Sequence, residues 1–289
     1  MKLILSLITL LTMFSACADW KTHIESKKSI MSKSAYRLLT AQYNAYANND
    51  APKIVDHCIK TIPIIESGER LIDINASNHV RISMLPNPSH PFESPDCNSG
   101  FSASSKVRHS VFIKLQKLIS QLDILAPHFG YQEGQVSVKV FEGLRDMATQ
   151  ETLFVNKERE IQQDHPSMSK EELFAETCKW VSPVHNNIPV HSTGAALDIR
   201  LWDSQNDEFI DMGFFGVIWG NNITAPTFSA ALTTEQINNR LLLLTAAAHV
   251  GLVNYVYEWW HFSYGDRYAS FWQEADVEKR TALYGAVQH

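Results

Sequence analysis

Residues 190–202 read VHSTGAALDIRLW and residues 258–268 read EWWHFSYGDRY, and these two stretches decide the fold. In the first, an imidazole at His191 precedes a turn built on Gly194, and Ala195 to Trp202 alternates as a strand with Asp198 on it. Small Ala195 and Ala196 permit close backbone approach, so His191 and Asp198 can converge across the turn. The second lies in a strongly apolar stretch read as a strand over Tyr255 to Tyr264, and it adds a nitrogen ligand, His261, and a carboxylate, Glu258. Residues three apart face opposite sides of a regular strand, so Glu258 and His261 meet only if the strand is bulged or twisted. Without that irregularity the stretch reads as an aromatic core strand with Glu258 paired to an arginine.

Working outward, helical spacing is expected over Ser29 to Tyr46, Val107 to Leu125, Arg145 to Gln162, Lys170 to Trp180 and Thr234 to His249, with a strand over Ser137 to Glu142. Ser169 and Thr233 or Thr234 are suited to cap their helices. Strands and helices mix without regular alternation, which points to an α+β fold with a mostly antiparallel sheet. The Pro, Ser, Asn and Gly-rich stretch from Pro86 to Ser105 is the candidate boundary. It divides an N-terminal helical and loop extension, 19–104, from a catalytic domain, 105–289.

The chain has 289 residues, 45% of them hydrophobic, a net charge of -6 and a pI near 6.0. That is enough to bury a full core, and it offers no basic field for nucleic acid. No H-E-x-x-H, G-x-S-x-G, phosphate-binding glycine loop or Rossmann fingerprint is present, which removes common competing enzyme classes.

Residues 1–18 read as a signal peptide: Lys2, an apolar run from Leu3 to Phe14, then Ser15, Ala16, Cys17 and Ala18. Phe14 to Cys17 fits a lipobox that would place a lipid on Cys17, the one route to a membrane. Ala16-Cys17-Ala18 fits an A-x-A site that would release a chain starting at Asp19. Either way the protein is expected to be exported, to the periplasm or as an outer-membrane lipoprotein. Of Cys58, Cys97 and Cys178, the first two are the first-guess disulfide, with three free thiols as the alternative.

The pattern S/T-x-H-x-x-G-x-A-x-D followed about 60 residues later by E-x-W-H resembles the zinc D-alanyl-D-alanine peptidases, and the dipeptidases among them most closely. VKVFEGLRD, IDMGFFG and QINNRLLLLTAAAHVGLVNY support the resemblance in order and spacing, over roughly residues 105–272. It implies a hedgehog/DD-peptidase-like fold with one zinc ion per chain, held by His191, Asp198 and His261. It further implies Glu258 as the catalytic acid–base, Arg145 as the cation that stabilises the developing oxyanion, and Trp259 and Trp260 against the substrate. The implied reaction is hydrolysis of D-alanyl-D-alanine or a related cell-wall dipeptide by water activated at the metal.

Two departures bear on substrate choice. Pro189 stands where the family carries a small polar residue, and Phe214-Phe215-Gly216 follows Met212-Gly213 where the dipeptidases place an aspartate for the substrate ammonium. Asp211 is the nearest acid, on the other side of Met212, and His185 is a further residue near the site. The alternatives are a D,D-carboxypeptidase on peptidoglycan stem peptides and a non-catalytic zinc-dependent peptide-binding protein.

Overall fold

The computed structural model describes residues 19–77, 79–85, 105–214 and 223–287. The signal-like residues 1–18 and Cys97 lie outside these, and with Cys97 the suggested pairing to Cys58. Cys58 is exposed and Cys178 half-buried. The helices are α1 (Trp20–Ser26), α2 (Lys33–Ala47), α3 (His57–Lys60), α4 (His109–Leu125), α5 (Met147–Asp164), α6 (Lys170–Thr177), α7 (Thr234–Val250) and α8 (Arg267–Gln273). The strands are β1 (Leu71–Asp73), β2 (Ile82–Met84), β3 (Lys106–Arg108), β4 (Val136–Glu142), β5 (Ala196–Asp203), β6 (Glu208–Phe209), β7 (Val253–Tyr255) and β8 (Glu258–Ser263).

The main sheet runs β2-β4-β5-β8-β7, with β6 paired to β5, and β1 pairs with β3 in a separate ribbon. Among the described strands every pairing is antiparallel except β2 with β4. The fold is thus α+β with a mostly antiparallel sheet flanked by helices. Among the described residues no helix is long and apolar enough to cross a membrane.

Helix α7 is central. Its Leu241, Leu242, Leu243, Leu244, Ala246 and Ala247 are all buried, so it is apolar nearly all round and must be covered on every side. Helices α4 and α2 pack against it. A capping box fixes its start, the Thr233 hydroxyl accepting from Gln236 N and the Gln236 side chain accepting from Thr233 N. Left-handed Gly251 ends it. Residues ahead of 105 belong to the same core: Trp20, Ile24 and Leu39 join it, and Trp20 donates from Nε1 to the Ser229 carbonyl at 3.0 Å.

Five expectations need correction, two of them helix starts: the helices expected from Ser29 and Arg145 begin at Lys33 and Met147. Val107 and Arg108 are not helical but end β3, because their backbone pairs with β1 before α4 begins. Lys170 to Trp180 stays helical only to Thr177. Tyr255 to Tyr264 is two strands, not one: the chain turns at Val256 and Tyr257, so β7 and β8 form a hairpin.

The end of β5 is pinned by Asp203, whose carboxylate accepts from Gln205 N, Asn206 N, Gln135 Nε2 and Asn206 Nδ2 at 2.8–3.2 Å. Burial pushes its carboxyl pKa up, but these donors more than offset that and leave it lowered. Its contribution is therefore complete above the unfolded carboxyl value of about 3.9 and disappears as pH falls through the folded value. Asp203→Ala should cost about 2 kcal/mol at neutral pH and little at pH 2, measured by denaturant unfolding at both.

Candidate active site

Pro189 leads into a 3₁₀ turn, Val190–Thr193, that Gly194 ends in the left-handed region at φ 69°. The turn aims His191 inward. Its Nδ1 lies 2.8 Å from the Gly143 carbonyl, so Nδ1 carries the proton and Nε2 faces the site with its lone pair.

Asp198 and His261 are cross-strand partners on β5 and β8, and Glu142 is the partner of Asp198 on β4. A register shift between Val140 and Glu142 makes this possible. Regular pairing would set Phe141 opposite Asp198 and turn Glu142 to the other face. The bulge instead yields a row of Glu142, Asp198 and His261 across three strands. The β7–β8 pairing is irregular as well, shifting between Asn254 and Tyr255, and Glu258 is the first residue after the turn. Buried Asn254 holds this irregular backbone, its Nδ2 donating to the carbonyls of Glu258, Trp259 and His261 at 3.0–3.3 Å. The irregularity that the Glu258–His261 spacing required is therefore present.

His191 Nε2, His261 Nδ1 and Asp198 Oδ1 form a triangle with edges of 3.1, 3.4 and 3.2 Å. Their residues are 6%, 3% and 7% exposed. Tetrahedral zinc holds N and O ligands at about 2.0–2.2 Å, which sets neighbouring ligand atoms roughly 3.3–3.5 Å apart. Asp198 Oδ1 is buried without a well-formed hydrogen bond although two imidazole nitrogens face it. Three acceptor-type atoms packed this closely fit a shared cation, and two nitrogens plus one oxygen suit zinc. Burial pushes the Asp198 carboxyl up, yet His191 first and then His261 hold it well below the usual carboxylate range. Burial lowers His191, while Asp198 and Glu142 outweigh it and raise the imidazole.

Glu258 stands beside this triangle, its Oε2 3.8 Å from His261 Nδ1 and its side chain 33% exposed. Burial of its surroundings raises its pKa, Asp198 adds to the rise, and the histidines and Arg145 partly offset it. A carboxyl tuned upward next to a metal-type triad, and open to solvent, is suited to proton transfer.

Arg145 is fixed by Glu142, which accepts from Nε and Nη2 at 2.6 Å each, and by Gln150 Oε1, which accepts from Nη1 at 2.7 Å. Its backbone N–H donates to the His191 carbonyl at 3.2 Å. Burial lowers its pKa, but Glu142 and then Asp198 and Glu258 raise it, which places the guanidinium within the field of the site. Glu142 is the partner that sequence reasoning left without a role, although it sits three residues before Arg145 at the end of a recognised strand.

The substrate contact expected of Trp259 and Trp260 conflicts with their placement, since both are buried in the core. Trp259 donates from Nε1 to the Phe214 carbonyl at 2.6 Å and lies under the Arg240 guanidinium. His185 is exposed and meets Asn186. Asp211 is exposed and accepts from Gly213 N and Gln236 Nε2. Phe215 and Gly216 lie outside the described residues.

Behind the His191 turn, Arg108 donates from its backbone to Gly194 O and from Nε to Thr193 O, both at 2.8 Å. Its other nitrogens reach Glu69 O at 2.8 Å and Glu66 Oε1 at 3.1 Å, and it stacks on Tyr284. Val287 N closes the group on Ser192 O at 2.8 Å. A Cβ at Gly194 would lie 2.8 Å from Leu71 Cδ2 and would force a side chain into the left-handed region. Gly194→Ala should destabilise the protein by about 1–3 kcal/mol, and weaken metal affinity by moving His191, checked by thermal unfolding and chelator competition.

An α+β sheet here converges three buried ligand-type side chains, a solvent-open carboxylate and a clamped guanidinium, the group types that hydrolysis at a metal would use. Residues 144–278 match the family described as D-ala-D-ala dipeptidase. It is similar to a D-alanyl-D-alanine dipeptidase of Synechocystis sp., at 27% identity over 252 residues, 78% of this chain and 95% of that relative. Among solved structures it aligns with the LdcB LD-carboxypeptidase at 13% identity and a TM-score of 0.38, covering 76% of this chain and 81% of that one.

Proposed function

We propose that this protein is an exported zinc peptidase that hydrolyses D-alanyl-D-alanine or a related cell-wall dipeptide. The observation that carries the reading is the closed triangle of His191, Asp198 and His261 beside Glu258. Zinc bound there would supply a Lewis acid and lower the pKa of water to about 7. Glu258 would take the proton of the attacking water and return it to the departing amine. Arg145, a fixed fork of donors already oriented by Glu142, would receive the charge that develops on the scissile carbonyl oxygen.

One observation favours a second reading, a D,D-carboxypeptidase. The Asp211 carboxylate, the nearest acid to the position where dipeptidases bind the substrate ammonium, is engaged with Gly213 and Gln236. A non-catalytic peptide binder would have no use for Glu258 in its place.

Dialysis against a chelator should abolish hydrolysis of D-alanyl-D-alanine, and added zinc should restore it. Activity that survives complete metal removal would refute the zinc reading. The same assay run on acylated and mixed-chirality peptides, with products read by mass spectrometry, separates dipeptidase, carboxypeptidase and binder.

A further inference from the structure

If His261 uses Nδ1 as its ligand atom, its remaining proton sits on Nε2. His191 anchors its own outer nitrogen on Gly143 O, whereas His261 Nε2 is buried with no hydrogen-bond partner. A buried donor left this way costs about 1–3 kcal/mol. Asp266 presents the complementary problem. It is 1% exposed; its Oδ1 caps α8 by accepting from Ala269 N at 2.6 Å, while its Oδ2 is buried without a well-formed hydrogen bond and has the Ser263 side chain nearby.

The two are five residues apart along the chain. Strand alternation puts His261 and Ser263 on one face of β8, and Gly265, at φ 74°, turns the chain back so that Asp266 follows directly. Asp266 lines a small cavity whose wall also includes Val190 and Thr193, the residues that bracket His191 in its turn. Burial pushes the Asp266 carboxyl up, the Ala269 amide and Ser263 pull it down, and His261 and His191 add to that pull, so both imidazoles lie within its electrostatic reach.

We propose that Asp266 is a positioning residue for His261, its Oδ2 accepting a hydrogen bond from the Nε2–H through one bridging water. The carboxylate thereby fixes the tautomer and ring orientation that present Nδ1 to the metal, as Gly143 O does for His191. This rests on the metal reading above. Most ligating histidines are held in this manner, and loss of such a partner typically costs 10- to 100-fold in metal affinity.

Asp266→Asn keeps a side chain able to cap α8 but removes the charge, so its fold is expected to persist. Zinc affinity by chelator competition should fall roughly 10- to 100-fold. In 15N spectra of the zinc-loaded protein, the His261 Nε2–H should resonate downfield and exchange slowly in wild type, and should lose both properties in Asp266→Asn. His261→Ala serves as the reference. If it loses zinc while Asp266→Asn binds as wild type does, the positioning role is wrong and the metal site stands. If His261→Ala itself binds zinc normally, the metal reading fails and this proposal with it. Should Asp266→Asn not fold, the wild-type resonance decides: a shift and exchange rate typical of an unbonded imidazole N–H would overturn the assignment.

Discussion

Glu258→Ala is expected to keep its zinc and to lose roughly 100- to 10,000-fold in kcat, the range that positioned acid–base groups supply. The separation of the two properties follows from where Glu258 stands. It is not one of the three convergent ligands, and its Oε2 stays 3.8 Å from His261 Nδ1 on the open side of the site. The metal-type triangle is built from β5, β8 and the Val190–Thr193 turn, none of which depends on that carboxylate for its backbone geometry. Metal content by elemental analysis and kcat by product assay check the two halves. A variant as active as wild type would remove Glu258 from the mechanism, and a variant without zinc would make it a ligand instead.

His191→Ala should act on the other property and lose the metal itself. Structural zinc sites bind with about 10–16 kcal/mol, or about 3 kcal/mol for each of four ligands, so losing one predicts an affinity loss of roughly 100-fold or more. The protein would also lose the strongest influence holding the Asp198 carboxyl low, leaving a buried carboxylate with one imidazole for company. Chelator competition measures the affinity, and activity should fall in step with occupancy. Zinc bound as tightly as in wild type would show that the triangle of 3.1–3.4 Å edges is not a metal site.

Much of this was legible in the residues, and the reasons for what was not are physical. His191, Gly194 and Asp198 could be read as imidazole, turn and carboxylate because a left-handed glycine is a backbone requirement visible in the chain itself. The helix over residues 234–250 announced its start through a threonine cap, which the structure places on Thr233. By contrast β2, at three residues, is too short for an alternation to show, and its parallel pairing with β4 is set by tertiary contact. The place of Glu142 depends on a bulge one residue earlier, which no spacing rule foretells. The hairpin turn at Val256 and Tyr257 escaped notice because it uses a valine and a tyrosine, not the usual turn residues, inside an aromatic run. Trp259 and Trp260 were expected against the substrate, and the structure buries both in the core instead.

The group behind the His191 turn joins residues far apart in synthesis. Val287 holds Ser192, Tyr284 packs on Arg108, and residues 282–283 bond back to the segment around residues 63–67. The turn that carries His191 is thus backed by contacts distant in sequence, so a substitution that loosens residues 282–287 should be felt at an imidazole they never touch.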